Sequence, residues 1–307
     1  MDYNTFYNKI LTDENMMETI QHSRSEYPFH FYYDNLDLFD FHCVEWHWHA
    51  EFEFVFVEEG TAVFWAGKKQ YFVKKGQGFF VNSRVLHRFY SVEGAIIPNF
   101  VLLPAFIAPG NSLIYKKYVE PIEKSTLKSL LFTPEIPWHA EVVNIMKKIA
   151  ELQKQEKEEE LQTSILMQEL WYRIYLHTKG TLQKENKEDE AMVQGRLQLM
   201  MQYIHRHFNE KISLEEIAKQ AAVSKSTALN LFRRCLHDTP VHYLLKYRLQ
   251  EAASLLSSTE KKIIVISENV GFENVEYFCK LFKKYYGVTP TEYRIKKNAS
   301  TIPSFEK

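Results

Sequence analysis

At 307 residues, with 45% hydrophobic side chains, the chain is long enough for about two domains. Its 10 Gly and 10 Pro exclude a collagenous or low-complexity protein, and 38 basic side chains against 39 acidic give a net charge of −1 that advertises neither a nucleic acid nor a membrane. The charge is uneven, however: residues 195–297 hold 17 Lys and Arg against 10 Asp and Glu, a net of +7, which leaves the remainder at −8. A basic binding module joined to an acidic body is expected.

The opening residues, Met1-Asp2-Tyr3-Asn4, lack the basic and apolar runs of a signal peptide. The longest apolar stretch, residues 95–109, is broken by Pro98, Asn99 and Pro104 and is too short to span a bilayer. Cys43, Cys235 and Cys279 are widely separated and odd in number, so neither a disulfide framework nor a CxxC site is indicated. A soluble, cytoplasmic protein without a membrane partner is expected.

Tyr27-Pro28-Phe29-His30-Phe31-Tyr32 reads either as an edge strand or as an arm over a pocket. From residue 29 to 103, aromatic and β-branched residues alternate with polar ones, as in Glu51-Phe52-Glu53-Phe54-Val55-Phe56. Turn signals at Glu59-Gly60, Ala66-Gly67-Lys68, Gly76-Gln77-Gly78 and Glu93-Gly94 cut this run into short strands, and their regular spacing predicts a sandwich or small barrel over residues 1–110.

Within that region His47-Trp48-His49 precedes Glu53 and Gly60, and His87 follows. On a strand His47, His49 and Glu53 share one face, because the side-chain period is two. This His-x-His-x3-Glu-x6-Gly spacing resembles the first motif of the cupin barrel, and His87 falls where the second cupin motif supplies another ligand. Three imidazoles and a carboxylate suit Fe, Mn, Ni or Zn. Against a metal stand two departures: Phe41 replaces the family's glycine, and Asn82-Ser83-Arg84 replaces its Pro-x-Gly. A cofactor-free pocket for a small organic effector is the preferred expectation, with His47, His49, Glu53, Arg84 and His87 as polar wall and Trp46, Trp48 or Trp65 as apolar wall. Aromatic stacking beside a few polar groups suits a sugar or oligosaccharide.

Residues 111–190 read as a helical connector. Val142, Ile145, Ile149 and Leu152 have helical spacing, as do Leu166, Leu170 and Ile174. The second stripe is expected either to pair with its copy in a homodimer or to pack on its own barrel. A charged stretch, residues 153–160, separates the two helices, and the polar residues 179–190 are the expected linker.

Residues 191–297 contain an internal repeat. Phe232-Arg233-Arg234 recurs as Phe282-Lys283-Lys284, Thr239-Pro240 as Thr289-Pro290, and Tyr243 as Tyr293, all at an offset of 50. Leu214 and Ile217 match Ile263 and Ile266 at an offset of 49, so one unit has gained a residue in its turn. Each unit reads as helix, turn, helix. Ser213-Leu214-Glu215-Glu216 is a capping box, and Ser224 caps the following helix. Ala228, Leu231, Phe232 and Cys235 form a buried face, with Ser226, Leu229, Asn230 and Arg233 opposite. In the second unit Phe278, Leu281, Phe282 and Tyr285 point inward, while Glu276, Cys279, Lys280 and Lys283 point outward. A major groove accepts such basic, braced helices.

This run resembles the double helix-turn-helix domain of AraC-type transcriptional regulators, through Leu-x-x-Ile-Ala at Leu214 to Ala218, Val270-Gly271-Phe272, and the closing Gly287-Val288-Thr289-Pro290 and Tyr293-Arg294. His237 stands where the first unit commonly has glycine, Ala228 where a bulky core residue is usual, and Ser267 differs from the family's small residue. The resemblance implies double-stranded DNA as partner. It places Ser226, Thr227, Leu229, Asn230, Arg233 and Arg234 of the first unit on the DNA side, with Asn274, Val275, Glu276, Cys279, Lys280, Lys283 and Lys284 of the second. It also implies a homodimer, with RNA polymerase as a further partner; residues 298–307 read as a C-terminal tail. The fold expected is an α+β multidomain chain: cupin-like barrel, helical connector, all-α double helix-turn-helix domain. The function expected is a ligand-responsive transcriptional regulator without enzymatic activity. Its rival is a metal-dependent cupin oxygenase or isomerase carrying a helical DNA-binding domain.

Overall fold

The computed structural model describes residues 10–13, 15–22, 26–155, 159–182 and 187–300. Residues 156–158 of the charged stretch, 183–186 of the expected linker and 301–307 of the tail lie outside the described residues. The chain divides into two compact units, Met1–Lys187 and Glu188–Lys307.

In the first unit the alternating sequence folds into an eight-stranded antiparallel barrel. Its strands are β1 (Phe29–Asn35), β2 (Cys43–His47), β3 (Phe52–Phe56), β4 (Glu59–Ala66), β5 (Lys69–Lys74), β6 (Gly78–Val81), β7 (His87–Leu102) and β8 (Ser129–Phe132). The sheet runs β5-β4-β7-β3-β6-β8, with β1 and β2 also paired to β7. At 16 residues β7 is long enough to serve four partners. Where β4 crosses it the register shifts between Gly60 and Ala62. Gly60 has φ 76°, and a Cβ there would lie 2.1 Å from the Gly94 carbonyl oxygen, so this crossing requires glycine. The aromatic segment from Tyr27 enters β1, whose register runs from Phe29 opposite Leu102 to Asn35 opposite Ile96. It is a barrel strand.

Both faces of β3 are buried, and they do different things. Phe52, Phe54 and Phe56 turn outward onto a helical layer, while Val55 joins Phe64, Phe79, Val81 and Phe89 inside the barrel. The layer comprises α1 (Glu120–Glu123), α2 (Pro137–Gln153) and α3 (Glu160–Thr178). Trp171 of α3 stacks on Phe52 with ring centres 4.6 Å apart and donates its indole N–H to the Tyr118 carbonyl at 2.9 Å. Leu170 and Ile174 are fully buried beside it. Each such side chain contributes about 1.5–3 kcal/mol. Of the two expectations for this helix, its inward stripe packs on its own barrel.

The second unit opens with α4 (Lys187–His207), so the last residues of the expected linker are helical. It continues with α5 (Leu214–Gln220), α6 (Lys225–Leu236), α7 (Pro240–Ser258), α8 (Ile263–Asn269), α9 (Val275–Tyr286) and α10 (Pro290–Ser300). The pairs α5–α6 and α8–α9 are the two helix-turn-helix units. At α5 the capping box is complete: the Ser213 hydroxyl accepts from the Glu216 amide at 3.2 Å, and the Ser213 amide donates to Glu216 Oε2 at 2.7 Å. The extra residue of the second turn is Glu273. One residue, Val223, separates Ala222 (φ 51°) from its helix cap Ser224, whereas two, Phe272 and Glu273, separate Gly271 (φ 84°) from Asn274. Ala228 lies fully buried in the first unit's core despite its small size. Among the described residues no helix is long and apolar enough to cross a membrane.

Candidate functional site

Three chain segments build a site inside the barrel. β2 ends at His47, the chain turns at Ala50-Glu51, and Glu53 lies on β3, so the histidines and Glu53 do not share one strand face as expected. They converge because β2 and β3 approach the same interior from either side of that turn. His87 opens β7 directly opposite His47. The turn is tied from below by Ser83 Oγ, which donates to the Ala50 carbonyl at 2.7 Å, and by the Arg84 amide, which donates to the His49 carbonyl at 2.8 Å. His47, His49, Glu53 and His87 are all buried, and one donor atom from each lies within 4.8 Å of the others.

The imidazoles are oriented. His47 Nδ1 donates to the Glu45 carbonyl at 2.7 Å, and His87 Nδ1 donates to the Val85 carbonyl at 2.8 Å. Both Nε2 atoms are thereby aimed inward as lone pairs, the arrangement that suits a metal ligand. Burial, reinforced by the neighbouring His87 and His49, holds the His47 pKa well below its ordinary value and keeps it neutral. Burial alone would raise the Glu53 pKa, but contacts with His49 and His87 hold this carboxyl far below the usual carboxylate range. His87 Nε2 lies 2.9 Å from Glu53 Oε2, and His49 Nε2 lies 3.6 Å from it. Yet Glu53 Oε2 and His87 Nε2 have no hydrogen-bond partner of good geometry. A carboxylate oxygen facing an imidazole lone pair needs a proton or a cation between them. Three imidazoles and one carboxylate therefore fit a divalent transition-metal ion.

Beside the quartet lies a cavity of about 50 Å³, walled by Glu18, His22, Tyr32, Asp34 and Asn99 and by apolar Ile20, Val44 and Phe89. At roughly 10–15 Å³ per water it holds about three to five waters. Burial, with Glu53 and Glu18 nearby, pushes the Asp34 pKa up to about 7, against one hydrogen bond from Asn99 Nδ2 at 2.8 Å. Two expected wall residues lie elsewhere. Trp65 alternates with Phe64 and Ala66, which point inward, and pairs with Arg88 on the outer face of the sheet. The Arg84 side chain is 64% exposed and reaches outward to Glu123 at 3.4 Å. Trp46 and Trp48 are also absent from the cavity wall. Glu18, His22, Tyr32, Asp34 and Asn99 escaped the sequence reading. The Glu-x3-His spacing of Glu18 and His22 was the available signal.

In the second unit the outward faces of α6 and α9 are the candidate DNA surface. Ser226, Asn230, Arg233 and Arg234 are exposed on α6, as are Glu276, Lys280, Lys283 and Lys284 on α9. Thr227, Leu229, Val275 and Cys279 are half-buried, so Leu229 is less exposed than the helical spacing suggested. Asn274 is exposed, and its side chain caps α9 by accepting from the Tyr277 amide at 2.8 Å. The Thr227 hydroxyl lies 2.9 Å from that of the cap residue Ser224.

Among known families, an AraC-like ligand binding domain matches residues 37–103 and a helix-turn-helix domain matches residues 217–296. The chain is 30% identical over 292 residues to the uncharacterized HTH-type transcriptional regulator YdeC of Bacillus subtilis (strain 168), covering 92% of this chain and 97% of that protein. It is 23% identical to the HTH-type transcriptional activator RhaS of Escherichia coli O81 (strain ED1a), over 81% of this chain and 86% of that one. A solved AraC-type transcriptional regulator from Chromobacterium violaceum is 28% identical, with a TM-score of 0.34, over 37% of this chain and 99% of that chain.

Proposed function

The chain belongs to the AraC family of transcriptional regulators, and from that premise we propose that its barrel holds a divalent transition-metal ion whose occupancy sets the affinity of the helix-turn-helix units for DNA. The observation that carries this reading is the quartet of His47, His49, Glu53 and His87, four buried donors within 4.8 Å of one another. When bound, the ion would supply a fixed charge and a Lewis-acidic centre beside the cavity. Its effect on DNA binding requires a difference in affinity between two conformations or domain arrangements. A binding role is preferred to turnover because the relatives are named as regulators. An organic effector that coordinates the ion is the second reading, favoured by the adjoining cavity.

In the same reading the protein works in the cytoplasm on double-stranded DNA, as a homodimer, with RNA polymerase as a further partner. Support for the homodimer comes from the outer face of α3, where Leu161, Ile165, Tyr172 and Leu176 form an exposed apolar stripe. The metal reading is tested by elemental analysis of the purified full chain after incubation with Ni²⁺ or Zn²⁺ and desalting. Near-stoichiometric metal in the wild type and none in His49→Ala is expected. Absence of metal from both would overturn it and leave the cavity as an organic pocket.

A further inference from the structure

The barrel alone does not close this site. Residues 15–22 pack against it, and their anchor is Trp48, which lies between His47 at the end of β2 and His49 just beyond it. The Trp48 amide donates to the Met16 carbonyl at 3.0 Å, the Glu18 amide donates to the Trp48 carbonyl at 2.9 Å, and the Trp48 indole donates to the Asn15 carbonyl at 2.9 Å. The backbone amide and carbonyl of the residue between His47 and His49 are thus both taken up by this segment. Glu18 is delivered over the quartet. Its side chain is 4% exposed, and Oε2 lies 3.9 Å from His47 Nε2 and 3.0 Å from His22 Nε2. On its other side the His22 ring is held by the Tyr32 hydroxyl, 2.7 Å from Nδ1. His22 Nε2 has no hydrogen bond of good geometry. A buried carboxylate and a buried imidazole thus face the quartet from a part of the chain that the barrel does not contain.

Charge explains what they are for. Neutral imidazoles and the single carboxylate of Glu53 leave a divalent ion with a net charge of about +1 in a buried site, which is costly. A second carboxylate brings the site to neutrality. Mn, Fe and Ni also take more than the four donors of the quartet. Resting on the metal reading above, we infer that Glu18 is a further ligand of the ion, so that the ion fastens the N-terminal segment to the barrel; His22 acts as the positioning residue that keeps the carboxylate over the site. An organic ligand for this ion would then have to displace Glu18.

The test uses the full-length chain and Ni²⁺ alone. Titration calorimetry gives the affinity, and amide hydrogen exchange follows residues 15–22, including the Glu18 amide. In the wild type Ni²⁺ should bind and slow exchange across this segment. The isosteric Glu18→Gln should bind Ni²⁺ at least about 10-fold more weakly, since losing even a group that merely orients a ligand costs roughly 10- to 100-fold, and should lose the slowing. Glu18→Asp, which keeps the carboxylate, should retain more of both than Glu18→Gln, which separates a ligand from a merely structural contact. Equal Ni²⁺ affinity of wild type and Glu18→Gln, or exchange indifferent to Ni²⁺, would overturn the role of Glu18 while leaving the quartet intact. No Ni²⁺ binding by the wild type would overturn both the metal reading and the inference resting on it.

Discussion

His237 ends α6 at φ 51°, a left-handed backbone that costs a residue with a Cβ about 1–2 kcal/mol. Its repeat mate, Gly287, ends α9 at φ 72°. The same holds in the barrel: Phe41 and Arg84, where the cupin resemblance leads one to expect glycine, both have φ 59°. All three residues hold the left-handed backbone that glycine adopts most readily. Arg84→Gly and His237→Gly should each raise stability by about 0.5–1 kcal/mol, the strain relieved less the extra freedom glycine gives the unfolded chain. The exposed Arg84–Glu123 pair subtracts little. Thermal melts read the gain, and a lower midpoint for both variants would contradict it. Asp34 carries a second expectation. Its folded pKa, raised to about 7 from 3.8, means that the unfolded chain gives up this proton first, so the contribution of Asp34 to stability declines as pH rises from about 4 to 7. In metal-free protein, Asp34→Asn should therefore raise the melting temperature more at pH 8 than at pH 5. An equal shift at both would place Asp34 in an ordinary ionised state. Asp34 was not legible in the sequence, because its partner Asn99 is 65 residues away. Glu18 was hidden for a similar reason, since it meets the site through Trp48.

At the scale of elements, the strands were legible from alternation, but their facing was not. In β3 the aromatic residues point to α2 and α3 and Glu53 points inward, because a helical layer covers the outer face and both faces are buried. A pattern of period two identifies a strand without saying which side is the interior. The helix-turn-helix units were legible almost to the residue, since caps, turns and inward stripes recur at offsets of 49 and 50. Ala228 and Leu229 show the limit: helical spacing gives a direction, whereas the degree of burial depends on neighbouring helices. Half-buried Leu229 retains a surface for a thymine methyl, and Asn230 beside it can contact adenine. Leu229→Ala should cost roughly 1 kcal/mol on a thymine-bearing operator and little where that base is uracil. Arg233→Ala should weaken all sequences alike, because phosphate contacts carry no base identity. Equal losses for Leu229→Ala on thymine and uracil would mean that Leu229 packs only against protein.

At the scale of the molecule, charge follows the division of labour. The net of +7 is confined to residues 195–297, within the compact unit Glu188–Lys307. This unit expressed alone should bind the operator with an affinity that falls linearly in log salt, by counterion release. An affinity indifferent to salt would contradict the assignment of α6 and α9 to the phosphates. The acidic unit Met1–Lys187 carries the quartet, and the account stands on the link between that quartet and DNA. The most direct measurement is the operator affinity of the full chain, by fluorescence anisotropy on a site recovered from genome-wide binding, with metal chelated and with Ni²⁺ or Zn²⁺ restored, in wild type and His49→Ala. Coupling of 1–3 kcal/mol should shift the wild-type Kd roughly 5- to 150-fold on loading and leave His49→Ala unmoved. A wild type that takes up metal stoichiometrically and binds its operator with the same Kd in both states would contradict it.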